Sequence, residues 1–167
     1  MREVKVEQLS LEAYKPFGTY ANLINPTDVG FGVNTPVAFF RDQLQMDVSG
    51  NNAYSYSCCH VKKRENIIDV LEYHSSCGEV VLPLDQDILL QVAPASGNND
   101  PIPLDEMRVF YVPKGTAITI KAGVWHWGPF ATEDTPANVL INLPERTYAN
   151  DCIVVELDKK DHIKIID

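Results

Sequence analysis

The hydrophobic positions of this chain fall in short runs separated by turn-forming residues. β-Branched and aromatic residues dominate the runs, which read PVAFF, AYSYSCCHV, IIDVLEY, EVVLPL, DILLQVA, MRVFYV, TAITI, NVLINL, CIVVEL and HIKII. Between them stand turn signals such as Asn25-Pro26, Gly50-Asn51-Asn52, Gly97-Asn98-Asn99 and Pro113-Lys114-Gly115. Many short strands at this spacing predict a β-sandwich or barrel.

Helical patterning is scarce along the chain. Ser10 can cap a short helical turn over Leu11 to Tyr14, and Pro16 would limit its length. No stretch of linker composition divides the 167 residues, which are enough to bury a sizeable core. We therefore expect one all-β domain over residues 1–167.

Charge and cysteine content narrow the class of function. The net charge is -9, with 14 Lys+Arg against 23 Asp+Glu, which argues against a nucleic-acid or anionic-membrane partner. The first ten residues, MREVKVEQLS, lack the apolar core of a signal peptide, and no apolar run approaches the roughly 18 residues of a membrane span. None of the four cysteines forms a CxxC pair; they are Cys58, Cys59, Cys77 and Cys152. These features predict a cytoplasmic protein with reduced thiols that handles a small molecule.

The segment EYHSSCGE, residues 72–79, concentrates groups that bind metals or move protons. Glu72 and His74 share one face of a strand because side chains alternate with a period of two. Residues 75–78 can turn the chain, so that Glu79 would begin an antiparallel return strand opposite His74, roughly 5 Å away at Cβ. The three side chains would then converge at one end of a hairpin. A solvated hairpin tip is the alternative.

A second segment, YVPKGTAITIKAGVWHWGPFA, places His126 shortly after a turn at Gly123. Trp125 and Trp127 flank this histidine and would wall an apolar pocket. A lone histidine is more often a structural group than a ligand, so both interpretations of His126 stay open on the residues alone.

Together the two segments resemble the two motifs of the cupin superfamily. The first motif is His-x-His, four residues, then Glu; residues 72–74 read EYH and Glu79 follows after four residues. The second is Gly, five residues, Pro-x-Gly, two residues, His; here Gly115 is followed by KAG at 121–123 and by His126. Phe130 occupies the position of the Asn that ends this motif. The resemblance implies a double-stranded β-helix, or jelly-roll barrel, with few or short helices.

The chain more closely resembles the ureidoglycolate lyase family of cupins. The similarity rests on Glu72, His74, the strand end LPL at 82–84, and VWH at 124–126 followed by PFA at 129–131. Trp127 replaces a second His, Glu79 replaces Gln, and FFRDQ at 39–43 replaces an Arg-Phe-His-Asp-Leu-like segment. These departures suit a divergent member. The resemblance implies cleavage of ureidoglycolate into glyoxylate and urea, in allantoin degradation during purine catabolism.

The resemblance also implies roles for the site residues. Glu72, His74, Glu79 and His126 offer oxygen and nitrogen ligands for Mn, Fe, Ni or Zn, and a set without thiolate does not specify the metal. Glu72 or Glu79 would act as base, and His126 as ligand or acid.

Other candidates follow from the substrate's charge. Arginine suits a substrate carboxylate, so Arg41 and Arg108 are candidate substrate-binding residues, with Lys121 as another and Trp125 and Trp127 as pocket walls. Surface charge is the alternative for all three cations. Cys77 is expected to be structural, His60 packed or exposed on a strand, and His162 on the surface.

Two further functions stay open. One is a metal-dependent cupin acting on another small polyol, sugar or keto acid, such as an isomerase, and the other is a non-catalytic ligand-binding cupin. A homodimer is expected because cupins frequently dimerise and exposed edge strands need cover.

Overall fold

The computed structural model describes residues 1–24, 26, 30, 33, 36, 38, 40–48, 53–97 and 99–167. The predicted PVAFF strand at 36–40 lies partly outside these residues, and the predicted turn at 50–52 lies wholly outside them. Among the described residues, no helix is long and apolar enough to cross a membrane.

The strands form two sheets. The larger sheet has the order β13-β5-β10-β7-β8-β1-β14-β4, with β11 paired to β7. Its strands are β1 (Arg2–Gln8), β4 (Ile67–Ile68), β5 (Val70–Tyr73), β7 (Ile88–Ala93), β8 (Arg108–Val112), β10 (Trp125–His126), β11 (Phe130–Ala131), β13 (Ile153–Glu156) and β14 (Ile163–Ile166). The smaller sheet has the order β2-β9-β6-β12-β3, formed by β2 (Tyr20–Asn22), β3 (Tyr54–Val61), β6 (Glu79–Pro83), β9 (Thr116–Ile120) and β12 (Ala137–Pro144).

Helices in the described residues are short, as the sequence predicts. They are α1 (Leu11–Tyr14), α2 (Thr147–Asn150) and a single 3-10 turn at Leu104–Glu106. Ser10 caps α1, since its Oγ accepts a hydrogen bond from the Ala13 amide at 3.2 Å. The predicted cap and the all-β class are both confirmed.

The main core lies between the two sheets. It combines Val92, Phe110 and Val112 of the larger sheet with Val81 and Ile118 of the smaller one. α1 closes one side of this core with the fully buried Tyr14, whose ring meets that of Phe110 edge-on at 5.2 Å. Burying such side chains contributes about 1.5–3 kcal/mol each, which fixes the two sheets face to face.

The segment between β5 and β6 departs from the predicted hairpin. β5 pairs with β10 and β13, whereas β6 pairs with β9 and β12. Residues 74–78 therefore cross from one sheet to the other instead of joining neighbouring strands. The prediction of an antiparallel β5–β6 pair is wrong because a period-two pattern tells which face a side chain takes but not which strand lies beside it.

The short strand β10 brings the second motif beside the first. It lies between β5 and β7, and its residue His126 is in register with Glu72 on one side and Val92 on the other. Gly123 shapes the preceding turn with a φ of 80°, a left-handed conformation that favours glycine, and its amide donates to the His74 carbonyl at 2.7 Å. This hydrogen bond thus joins the turn before His126 to the backbone of His74.

Candidate active site

A buried carboxylate and two imidazoles form the centre of the site. Glu79 Oε2 lies 3.1 Å from His74 Nε2 and 3.3 Å from His126 Nε2. All three side chains are buried, and the two imidazole rings stand 5.3 Å apart. Glu72 completes the group, with its Oε1 3.9 Å from His126 Nε2. The convergence predicted for Glu72, His74, Glu79 and His126 is therefore present, although Glu72 and His126 come from the larger sheet, Glu79 comes from the smaller one, and His74 lies on the segment that crosses between them.

The outer nitrogens of both histidines are held by backbone carbonyls. His74 Nδ1 lies 2.7 Å from the Asp151 carbonyl oxygen, and His126 Nδ1 lies 2.8 Å from that of Val124. Because a carbonyl only accepts hydrogen bonds, each Nδ1 carries a proton and donates it. A neutral imidazole then turns the lone pair of Nε2 towards Glu79. The centre consequently needs a positive partner, either an extra proton or a cation.

Electrostatics favour an ionised Glu79. Burial raises the pKa of its carboxyl, but the hydrogen bonds and charges of His126 and His74 outweigh burial and lower the pKa to about 2. For His74, burial lowers the pKa, while the hydrogen bond and charge of Glu79 raise it more, so the net shift is upward. A buried anion thus faces two imidazoles.

Three side chains of the centre, those of Glu72, His74 and His126, form a group that could hold a divalent cation. Glu72, His74 and His126 each bring one ligand atom within 4.8 Å of the others. Two atoms that lie about 2.1 Å from one cation are separated by about 3.0 Å at a right angle and about 3.4 Å at a tetrahedral angle. The two Glu79–histidine distances, 3.1 and 3.3 Å, fall in that interval.

A thiol orients Glu72. Cys152 Sγ lies 3.1 Å from Glu72 Oε2, which leaves Oε1 directed at the histidines. Burial, followed by the hydrogen bond to Glu72, raises the pKa of Cys152 to about 12, so the thiol stays protonated and donates. Residues that hold a ligand in this way tune the metal or proton chemistry of the ligand itself.

The turn between His74 and Glu79 is fastened by Asp151. The Asp151 carboxylate accepts from the amides of Ser75 and Ser76 at 2.8 and 2.9 Å and from their hydroxyls at 2.5 and 2.6 Å. Burial raises the pKa of Asp151, but these four hydrogen bonds prevail and lower it to about 2. Cys152 therefore holds the first residue of the motif, Glu72, while Asp151 holds the turn that follows His74.

A cavity of about 140 Å³ opens beside the centre. Glu72, Glu79 and His126 lie on its wall together with Trp127 and Tyr148, and apolar side chains from both sheets complete it: Val81, Leu90, Ile120 and Ile141. A small cavity with apolar walls and a few converging polar groups is typical of a site for a small molecule.

The structure brings one of the two predicted tryptophans to this cavity. Side chains alternate along β10, so Trp125 points away from His126 and packs against Tyr73 with ring centres 4.6 Å apart. Its Nε1 donates to Ser96 Oγ at 2.9 Å. Trp127 follows the end of β10 and lies on the cavity wall.

The three predicted carboxylate-binding cations lie elsewhere. Arg108 is paired with the Glu7 carboxylate and donates to the Ala13 carbonyl at 2.7 Å. Lys121 donates to the Lys15 carbonyl at 2.7 Å and to that of Pro16. Arg41 is exposed on the surface, 3.8 Å from the Asp42 carboxylate. Each of the three is engaged by groups outside the cavity.

Two of the remaining candidates contact polar groups away from the cluster. His60 Nδ1 meets Asn138 Oδ1 at 3.0 Å, and His162 Nε2 meets the Leu157 carbonyl at 3.1 Å. Cys77 is buried beside Thr147, which fits a structural thiol.

Sequence reasoning missed the contribution of Asp151, Cys152 and Tyr148. Cys152 contacts Glu72 because β13 pairs with β5, with Ile153 opposite Tyr73 and Val154 opposite Glu72. That pairing joins positions 80 residues apart, and nothing in the local pattern around Cys152 signals it.

The fold of this chain is similar to that of a solved structure. A dTDP sugar isomerase from Desulfovibrio desulfuricans G20 has a similar fold, with a TM-score of 0.54 at 18% identity over 87% of this chain and 89% of that one. Together with the two-sheet architecture, this similarity confirms the predicted fold, a cupin-type double-stranded β-helix.

The family follows from the sequence profile. The profile of the ureidoglycolate lyase family matches residues 1–164, so the chain belongs to that family. A curated ureidoglycolate lyase from Rhodobacter capsulatus is 24% identical over 131 residues, which span 75% of this chain and 77% of that protein.

Proposed function

We propose that this protein is a ureidoglycolate lyase that splits ureidoglycolate into glyoxylate and urea. Family membership over residues 1–164 and the curated relative support the reaction type. The observation that carries the proposal is the buried Glu79, shared by two histidines at the wall of a cavity of about 140 Å³. That arrangement can hold a small hydroxylated molecule against a charged centre.

The reaction is an elimination from a carbinolamide. The substrate hydroxyl loses its proton, its oxygen forms the carbonyl of glyoxylate, and the neighbouring carbon–nitrogen bond breaks. The electron pair of that bond goes to the urea nitrogen, which takes up one proton. One proton is removed and one is returned, so a single side chain can serve as base and then as acid.

Glu72 is the residue that we assign to this proton transfer. Its Oε2 is held by Cys152 at 3.1 Å, and its Oε1 faces the centre of the site. Trp127 and apolar side chains line the cavity around Glu72, and apolar surroundings strengthen the interactions between charges inside it. Glu79 keeps the two imidazoles in place.

We further propose that His74, Glu79 and His126 hold a divalent metal ion, with Glu72 as a fourth ligand while its carboxylate is not engaged in proton transfer. Mn, Fe, Ni and Zn are the candidates. The bound ion would lower the pKa of the substrate hydroxyl and orient it. Lone pairs that face Glu79 from both histidines support the assignment, because a positive partner is required between them.

A matched pair of histidine variants tests both the lyase reaction and the metal ion. Protein purified without chelator is analysed for metal and incubated with ureidoglycolate, and glyoxylate and urea are measured. We expect stoichiometric metal and product formation in the wild type, loss of both in His126→Ala, and retention of both in His162→Ala, which alters a histidine remote from the cluster.

The outcomes separate the alternatives. No glyoxylate from the wild type with any of the four metals would reject the lyase. Bound metal without glyoxylate would point instead to a metal cupin for another small oxygenated substrate. Turnover by a metal-free protein would reject the metal while leaving the lyase in place.

We also propose that the protein is a cytoplasmic homodimer. Its four cysteines are unpaired, which fits a reducing compartment. β3 and β13 lie at sheet edges and expose apolar side chains, with Tyr56 77% and Val154 49% exposed. Light scattering tests the assembly, since a single-chain mass at micromolar concentration would reject the dimer.

A further inference from the structure

A second cavity, of about 550 Å³, opens outside the first. The two share much of their wall, namely Cys59, Glu72, Trp127, Gly128, Pro129 and Tyr148. A molecule that reaches the inner cavity can therefore occupy part of the outer one at the same time. Glu72 marks the boundary between them.

The two cavities differ in charge. The inner cavity carries two carboxylates, those of Glu72 and Glu79. The outer cavity shares Glu72 but not Glu79, and three consecutive cations, Lys62, Lys63 and Arg64, line it on a chain whose net charge is -9. A concentration of positive charge at the mouth of a cleft attracts anions and raises their local concentration.

Two of these cations also hold the outer wall. Arg64 donates to the carbonyls of Gly128 and Pro129, each at 2.9 Å, and its guanidinium lies 3.9 Å from the centre of the Phe130 ring. Lys63 Nζ donates to the Thr132 carbonyl at 2.7 Å. These acceptors are uncharged, so the two positive charges are not neutralised by them.

The third cation is Lys62. Within the described part of the chain, no hydrogen bond or ion pair engages the Lys62 ammonium, which lies on the same wall as Arg64. Arg108 and Lys121 contrast with it, because Glu7 and two backbone carbonyls occupy them. Lys62 is thus available to an incoming anion.

We propose that Lys62 receives the carboxylate of the substrate and selects anionic over neutral molecules. The inference rests on the proposed function, in which the substrate hydroxyl meets Glu72 at the boundary of the two cavities. Its ureido group, which is uncharged and so is not repelled by Glu72 and Glu79, then enters the inner cavity. Its carboxylate stays in the outer cavity and faces Lys62, on the wall that also carries Arg64. Lys62 is a specificity-determining residue in this arrangement.

Steady-state kinetics of Lys62→Gln test the assignment. Lys159→Gln is the matched control, because it removes the same charge from an exposed lysine outside both cavities. At low salt we expect the KM for ureidoglycolate to rise about five- to tenfold in Lys62→Gln, with kcat within about twofold of wild type. Added salt should shrink the difference, and Lys62→Arg should restore most of the affinity. Lys159→Gln should match the wild type throughout.

A binding measurement with molecules that cannot react tests the role of Lys62 independently of the lyase reaction. Glycolate and its neutral counterpart glycolamide are titrated calorimetrically into the metal-loaded wild type and both variants. We expect Lys62→Gln to weaken glycolate binding and to leave glycolamide binding unchanged. If the wild type forms no glyoxylate, the lyase proposal fails and this titration still judges Lys62. Equal glycolate affinity in wild type and Lys62→Gln, or no glycolate binding at all, would overturn the inference even if turnover is observed.

Discussion

Replacing Asp151 with asparagine tests how the turn between His74 and Glu79 is held in place. The wild-type carboxylate accepts four hydrogen bonds from Ser75 and Ser76. Asparagine has the same shape, but its amide nitrogen cannot accept and would face donors of the turn. The change therefore removes part of this network without creating a cavity.

The pKa of Asp151 sets the size of the effect. A shift from 3.8 to about 2 corresponds to about 2.5 kcal/mol of stability by linkage. Asp151 is partly exposed and solvent screens its contacts, so we expect a loss of about 1–1.5 kcal/mol in the free energy of unfolding at pH 7.

The sign of the pH dependence follows from the lowered pKa. Because the folded-state pKa lies below the unfolded value, the stabilisation is complete above about pH 5 and is lost as pH falls through 3.8 towards 2. By pH 3 about half of it should have disappeared. The difference in the free energy of unfolding between wild type and Asp151→Asn should therefore become smaller as the pH falls.

Urea unfolding at pH 7, 5 and 3 measures that gap, with equal m-values as the check on comparable denatured states. Asp134→Asn serves as control, because Asp134 is exposed and no described residue donates a hydrogen bond to its carboxylate. A gap below about 0.5 kcal/mol at pH 7, or one that stays constant down to pH 3, would refute the reasoning.

Three further substitutions give distinct outcomes. Cys152→Ala removes the donor to Glu72 and should weaken Zn²⁺ binding about tenfold in chelator competition, whereas Cys152→Ser should not; equal affinities would contradict the orienting role. Arg64→Met should lower the free energy of unfolding by about 1–2 kcal/mol in urea and alter tryptophan fluorescence, and an unchanged urea midpoint would count against it. Gly18→Ala would bring Cβ to 1.7 Å from the Thr119 carbonyl oxygen, so calorimetry should show a loss of about 2 kcal/mol or more, and a wild-type melting temperature would contradict the close approach.

Local patterns in the sequence predicted the elements and the central residues well. His74 and Glu79 meet as predicted, although by a crossing between the two sheets instead of a hairpin. The strand runs follow the sequence directly: TAITI is β9, and DILLQVA contains the fully buried β7. Such features depend on neighbours within a few residues, where side-chain alternation and turn chemistry decide the structure.

Long-range pairing could not be predicted in the same way. Judged by residue type alone, Arg108 is as good a candidate for binding the substrate carboxylate as Lys62. However, β1 lies beside β8 and brings Glu7, 101 residues away in sequence, into a salt bridge with Arg108. Lys62 belongs to a charge run that ordinarily marks a solvated surface. Only the fold shows that this run lines a cavity next to the site.

The origin of the four central residues in two sheets has a consequence for dynamics. Glu72 and His126 belong to strands of the larger sheet, and Glu79 begins β6 of the smaller one. An ion held by all of them would crosslink the two sheets in addition to the core that packs between them. Amide hydrogen exchange should then slow in β6 and β10 together when Zn²⁺ is added, because a ligand that binds only the closed form stabilises every segment that must separate to release it.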